Sequence, residues 1–179
     1  MGIEIERKFL LANDDWRAAV TGSKHIAQGY LVSVRALRDG TARASVRVRI
    51  SGEQAWLNIK SAEIGIARAE YEFPLPLADA RSMLDTLCDG VLEKTRHHVD
   101  VDGWLYEIDE FLGDNSGLTV AEIELPAVDA WFPRPAWLGR EVSKMARYYN
   151  VNLIEHPFVH WSAAERDASD VELALGGHL

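Results

Sequence analysis

Apolar and polar residues alternate with a period of two along much of the chain, the pattern of strands that bury one face. Read this way, strands are expected at residues 3–11, 26–35, 42–51, 54–61, 68–75, 93–101, 104–112 and 118–126. Asp39-Gly40, Ser51-Gly52 and Asp102-Gly103 supply turns between several of them. Three helices interrupt the strands. One, over 14–20, follows Asn13 as a possible N-cap. A second, over 77–88, places Leu77, Ala80, Met83, Leu84 and Leu87 at helical spacing before Gly90. The third, over 139–149, comes after Pro133-Arg134-Pro135. Residues Ala163 to Leu175 form either a helix or a loosely held tail. The fold class expected is α+β, mainly β. About eight antiparallel strands would close into a barrel with a few flanking helices. A domain over 1–155 would be followed by a C-terminal tail over 156–179.

The polar faces of these strands are sorted by charge sign. Glu4 and Glu6 share a face with Lys8, Arg47 with Arg49, Glu70 with Glu72, Lys94 with Arg96 and His98, Glu107 with Asp109, and Glu122 with Glu124. Like charges two apart on a strand lie about 7 Å from each other and repel mildly. One such pair is an ordinary solvated face. Several, alternating in sign from strand to strand, point to a concave surface where acidic strands hold cations and basic strands hold an anion. Such a lumen must be wet or ligand-filled, since unpaired buried charge is costly.

Composition narrows the ligand. The 179 residues suit one domain, and 47% are hydrophobic, enough for a substantial core. The net charge of -9 repels nucleic acid and anionic membrane as a whole but leaves room for a local basic site. Lys8, Arg47, Arg49, Lys60, Lys94 and Arg96, with Arg147, supply donors for several phosphoryl groups. Glu4, Glu6, Glu122 and Glu124, with no Cys or His companions, suit hard cations such as Mg2+ or Mn2+. Metal and many cations around phosphate is the arrangement of phosphoryl transfer. Other chemistries fall away. His97 and His98 are adjacent and point to opposite faces, and Pro157 separates His156 from His160. The single Cys88 lacks a basic neighbour and cannot form an internal disulfide. No Gly-x-x-x-x-Gly-Lys loop and no apolar span of about 20 residues occur, so a soluble, cytoplasmic protein is expected, monomeric or homodimeric.

An ordered set of motifs then resembles the CYTH, or triphosphate tunnel, superfamily. It comprises Glu4-x-Glu6-x-Lys8, Gln28-Gly29-Tyr30-Leu31, Arg47-x-Arg49, Ile59-Lys60-Ser61, Glu70-x-Glu72, Glu93-Lys94-Thr95-Arg96, Glu107-x-Asp109 and Glu122-x-Glu124. The likeness runs from residue 3 to about residue 153. A later run, 141–150, keeps Arg147, Tyr148 and Asn150 but carries Ser143 and Met145 where the family more often has Thr and Asp. The resemblance implies an eight-stranded tunnel, divalent metal and a triphosphate-bearing substrate, most like short bacterial inorganic triphosphatases. It implies Glu4, Glu6 and Glu124, with Glu122 beside them, as metal ligands, and the basic residues as phosphate binders. Tyr30 would hold Lys8 or a phosphate. Glu70, Glu72 and Asp109 would orient basic neighbours or a second metal. Which of Glu6, Glu72 and Glu122 orients the attacking water is open. The alternatives are the same scaffold acting on an organic triphosphate, by hydrolysis or cyclisation, and a non-catalytic polyphosphate-binding module.

Overall fold

The computed structural model describes residues 2–61 and 67–167. Among the described residues, nine strands form one antiparallel sheet. They are β1 (Gly2–Leu11), β2 (Val20–Tyr30), β3 (Ala44–Ser51), β4 (Gln54–Ser61), β5 (Ala67–Leu75), β6 (Val91–Val101), β7 (Trp104–Phe111), β8 (Thr119–Glu124) and β9 (Leu138–Glu141). The helices are α1 (Val34–Arg38), α2 (Leu77–Thr86), α3 (Asn150–Glu155) and α4 (Ala163–Arg166). In space the strands run β5-β4-β3-β2-β6-β7-β8-β1-β9.

The expected eight-stranded closed barrel is corrected. The sheet curls until β5 meets β1, but only Gly2–Ile5 of β1 pair with it, against Ala67–Glu70. Farther along β1, Phe9 and Leu11 pair instead with the unexpected ninth strand. The opposite edge pairs Glu6–Leu10 with β8. Shared between two neighbours, β1 does not complete a uniform ring. β9 itself arises in place of the expected helix over 139–149; the following residues form a 3-10 turn at Ala146–Tyr148 and then α3. Its backbone continues as a strap on β1: Val142 N–H donates to Lys8 C=O at 2.8 Å, and the Ser143 hydroxyl accepts from Lys8 N–H at 2.9 Å. Two further corrections are local. The expected strand over 26–35 begins at Val20 and stops at Tyr30, and α1 follows, capped by Ser33. The helix over 14–20 is a 3-10 turn at Asp15–Ala19. Of the run Ala163–Leu175, expected as a helix or a loosely held tail, α4 covers Ala163–Arg166, and 168–179 lie outside the described residues.

Two glycines have identifiable work. Val101 pairs with Trp104, so Asp102 and Gly103 alone turn the chain, and both have positive φ, 53° and 82°. That is the Asp-Gly hairpin turn whose twist matches its strands. Gly90 lets α3 approach β6: a Cβ there would lie 2.8 Å from Ile154 Cγ2.

The main core lies on the convex face of the sheet. Phe9, Val99, Tyr106, Ile108, Ala121 and Ile123 point outward from β1 and β6–β8 and are covered by Trp16, Leu125, Phe132 and Trp137. Trp161 joins a second cluster with Leu92, Phe111, Val120, Tyr148 and Leu153. The first three of these continue the inward-facing rows of β6, β7 and β8, so the concave face is apolar at that end. Along the rest of the sheet most apolar positions go outward, and the concave face carries most of the inward charges.

Tyr106 shows how dry the convex core is. Its hydroxyl donates to Pro133 C=O, and its ring meets Trp137 edge-on at 5.1 Å. Burial, opposed by Arg134, pushes the phenol up to about 12 from an ordinary value of 10.0. The unfolded chain therefore loses this proton at lower pH than the native one, so stability falls as pH rises from about 10 toward 12. Melting curves across that window should show a steeper loss in wild type than in Tyr106→Phe. Parallel curves would remove Tyr106 as the cause. At neutral pH the Phe variant should be less stable by about 1 kcal/mol, one buried hydrogen bond.

Candidate active site

The concave face encloses a cavity of about 530 Å³. Strand alternation aims every second side chain into it. From β1 come Glu4, Glu6 and Lys8, from β2 Tyr30, from β3 Arg47 and Arg49, and from β4 Lys60. β5 gives Glu72, β6 gives Lys94 and Arg96, and β8 gives Glu122 and Glu124. Two expected residues are placed elsewhere. Asp109 is fully buried beneath the lining, with both oxygens bound to Lys94 and Arg96. Arg147 is stacked near Tyr148 and Trp161, 5.3 and 5.6 Å from their ring centroids, and does not line the cavity.

The lining is an interlocked charge network. Lys8 bridges Glu122 and Glu6, the latter at 2.5 Å. Lys60 holds Glu4 at 2.5 Å and approaches Glu70 at 3.5 Å. Arg49 donates to Glu72 at 2.7 Å. Arg96 reaches both oxygens of Asp109 at 2.7 Å, Glu122 at 2.5 Å, and Glu107. These contacts decide protonation. Burial opposes charge on Lys8, but Glu122 and Glu6 outweigh it and hold the ammonium above the ordinary lysine range. Burial likewise opposes charge on Glu122, but Lys8, Arg96 and Lys94 outweigh it and hold the carboxyl well below the usual range. Lys94 goes the other way: burial, aided by Arg96, lowers it despite Asp109.

Arg47 differs from the other cavity cations. It is only 8% exposed, its Nε has no hydrogen-bond partner, and it makes no ion pair among the described residues. It also helps burial to lower the pKa of Arg49. A buried guanidinium without a counter-charge, in a polar cavity, is placed for an anion from outside.

The acidic side suits a cation by its chemistry. Burial and then the carboxylates of Glu4, Glu6, Glu107 and Glu70 raise the pKa of Glu124. So many carboxylates facing one another fit a hard divalent ion. Among the described residues, no three acidic, His or Cys side chains converge as a finished metal site. Lys8 and Lys60 hold Glu6 and Glu4 in the present arrangement.

Sequence reasoning missed several lining residues, including Gln28, Asn58, Trp104, Tyr149 and Asn150. For two the signal is present in the chain. Gln28 is two residues before Tyr30 and Asn58 two before Lys60, so the same alternation turns them inward. Tyr149 and Asn150 are brought in by the strap and α3, which strand periodicity cannot reveal.

The family model of the CYTH domain matches residues 2–156. An inorganic triphosphatase of Acetivibrio thermocellus is 40% identical over 159 residues, covering 88% of this chain and 97% of that protein. An inorganic triphosphatase of Nitrosomonas europaea is 35% identical over 152 residues, covering 82% and 93%. The crystal structure of an inorganic triphosphatase superposes with a TM-score of 0.59 at 30% identity, covering 86% of this chain and 95% of that one. Motif order, inward charge and these likenesses agree: the chain belongs to the CYTH domain family.

Proposed function

We propose that this chain is an inorganic triphosphatase, cleaving triphosphate to pyrophosphate and orthophosphate on the concave face of its sheet. Arg47 carries the reading, because a cavity already rich in ion pairs still holds one buried guanidinium with no partner among the described residues. The phosphates lie along Arg47, Arg49, Lys94 and Arg96, with Lys60 and Lys8 at the border of the acidic side. Tyr30, whose hydroxyl accepts from Gln28 at 3.3 Å, flanks the same phosphates.

Glu4, Glu6 and Glu124 would hold a divalent cation, Mg2+ or Mn2+, which supplies charge neutralisation and polarises phosphate oxygens. The chain's own residues account for the rest. Water oxygen bonds to the terminal phosphorus as the bridging P–O bond breaks, and that electron pair leaves on pyrophosphate. From the pentaanion, one water proton stays on orthophosphate and the other ends on pyrophosphate. Lys8, kept charged by Glu122 and Glu6, can stabilise charge on the leaving oxygen. Glu122 and Glu6 are both held by Lys8 on the acidic side, whereas Glu72 is held at 2.7 Å by Arg49 of the arginine strand, which makes it the better carboxylate for the attacking water.

Orthophosphate release from inorganic triphosphate, ATP and thiamine triphosphate tests this, each with Mg2+, Mn2+ or EDTA. Fast release from inorganic triphosphate, slow release from the organic substrates and none in EDTA are expected. Preference for an organic triphosphate would move the substrate assignment. Undiminished turnover in EDTA would remove the metal.

No helix among the described residues is long and apolar enough to cross a membrane.

A further inference from the structure

Lys60 has two acidic partners of different kinds. On the β4–β5 ladder it stands directly opposite Glu70, the neighbour with which an inward-pointing lysine ordinarily pairs. Its ammonium is 3.5 Å from that carboxylate, yet it passes over β5 to hold Glu4 of β1 at 2.5 Å. Lys8 repeats the arrangement. Its ladder partner is Glu122 on β8, and its second is Glu6, two residues back along β1, at 2.5 Å. Each lysine thus occupies one member of the trio Glu4, Glu6 and Glu124 and touches one carboxylate outside it. The charges that act on the third member, Glu124, are those of Glu4, Glu6, Glu107 and Glu70, all of its own sign.

Hard divalent cations are held by charged carboxylate oxygens. A dication joining Glu4 would share one carboxylate with the Lys60 ammonium. The Lys60 and Glu4 side chains are only 14% and 15% exposed, so water screens little of the repulsion between the two cations. One small movement relieves it. Glu70 is already beside the same ammonium, so a turn of the lysine chain transfers the charge from β1 to its ladder partner. No charge is left unpaired in the lining by that transfer, which keeps its cost low. Glu70 is also fixed to receive it, because the Asn58 amide donates to Glu70 at 3.1 Å.

We propose that Lys60 is a displaceable counter-ion: a divalent cation takes Glu4 from it, Glu70 receives the ammonium, and the N–H freed from Glu4 turns to a phosphate oxygen. This rests on the metal and phosphate assignments of the triphosphatase reading. The exchange makes binding of the two ligands cooperative. Metal on Glu4 releases a donor for phosphate, and phosphate on Lys60 clears a carboxylate for metal. By linkage each tightens the other by the same factor.

Mn2+ binding in the absence of substrate tests this, read from the paramagnetic resonance signal of the free ion. Wild type, Lys60→Met, Glu70→Gln and the double variant are compared, and melting curves monitor the fold. Lys60→Met should bind Mn2+ roughly 10-fold more tightly, since Glu4 no longer has to be vacated. Glu70→Gln should bind it roughly 10-fold more weakly, since the displaced ammonium has no second carboxylate. In the Lys60→Met background the Glu70 substitution should change little. An equal weakening in both backgrounds would make Glu70 a ligand or a through-space charge and overturn the exchange. Unchanged Mn2+ affinity in Lys60→Met would overturn it as well. Calorimetric titration with inorganic phosphate reads the coupling: Mg2+ should tighten phosphate binding more in wild type than in Lys60→Met, and equal tightening would overturn it. If Lys60→Met does not fold, Lys60→Gln takes its place. A wild type that shows the exchange but releases no orthophosphate from triphosphate would sink the triphosphatase reading alone. A wild type without affinity for Mn2+ would overturn the exchange and the metal assignment together.

Discussion

Arg47→Met is expected to lower kcat/KM for inorganic triphosphate about 10²–10³-fold while leaving the protein as stable as wild type or more so. The two effects have one cause. Arg47 is buried beside Arg49, with no ion pair among the described residues, so the ligand-free fold bears its desolvation and its repulsion uncompensated. A methionine of similar length removes both costs. Triphosphate loses a charge-assisted contact in a poorly hydrated site, where one such donor contributes about 2.7–4 kcal/mol to catalysis. Thermal melts with and without ligand provide a second readout. Triphosphate at 100 times its dissociation constant should stabilise wild type by about 2.7 kcal/mol. The variant should show much less at the same concentration. A variant that melts several degrees lower and loses activity in proportion would make Arg47 a structural residue instead.

Sign-sorted alternation makes most of this site legible in the amino-acid sequence. Residues two apart share a strand face, so Glu4, Glu6 and Lys8, or Arg47 and Arg49, must point the same way once the strands are placed. What alternation does not encode is how the two edges of the curled sheet meet. It leads to an expectation of closure, whereas β9 takes part of the β1 edge. That strand has four residues and reads Leu138-Gly139-Arg140-Glu141, too short for a period. α1 is hidden for a similar reason, since five residues carry no helical repeat. The family resemblance implies that Asp109, which shares a face with Glu107, lines the tunnel and orients basic neighbours or a second metal. Depth is not written in a face pattern, and only the packing of Phe111 and Val120 beside it shows that its row sinks into the apolar end. Arg147 follows its motif in the sequence, but the 3-10 turn carries it toward Trp161.

The charge network divides into two parts with different tasks. Arg47, unpaired among the described residues, and the mutually repelling acidic cluster around Glu124 gain by meeting a ligand. Lys94, Arg96 and Glu122 are already neutralised by one another and by Asp109. On the proposed function, the second part is a framework whose mutual ion pairs hold donors ready for the phosphates, so little reorganisation would be needed on binding.

Asp109→Asn tests that framework and should destabilise the protein by about 3–5 kcal/mol, the range for removing one partner of a buried ion pair. For a domain of this size that corresponds to roughly 6–20 °C in melting temperature. Asp109 is fully buried, Lys94 is 1% exposed, and the carboxylate bonds to Lys94 and twice to Arg96. An amide of the same shape removes the charge and turns one acceptor into a donor that faces cations. The pH dependence has a defined sign. Burial already sets the native pKa of Lys94 below its unfolded value, and losing Asp109 lowers it further. Charge on Lys94 then costs stability below its native pKa, and that cost fades as pH rises toward the unfolded value near 10.5. The deficit of Asp109→Asn relative to wild type should therefore narrow on the alkaline side of neutrality. Lys94→Met in the Asp109→Asn background should recover part of the melting temperature, because the orphaned ammonium is gone. A double variant that melts with the sum of the two single losses would show that Lys94 and Asp109 act independently, and the framework would have to be rebuilt on Arg96 and Glu122 alone.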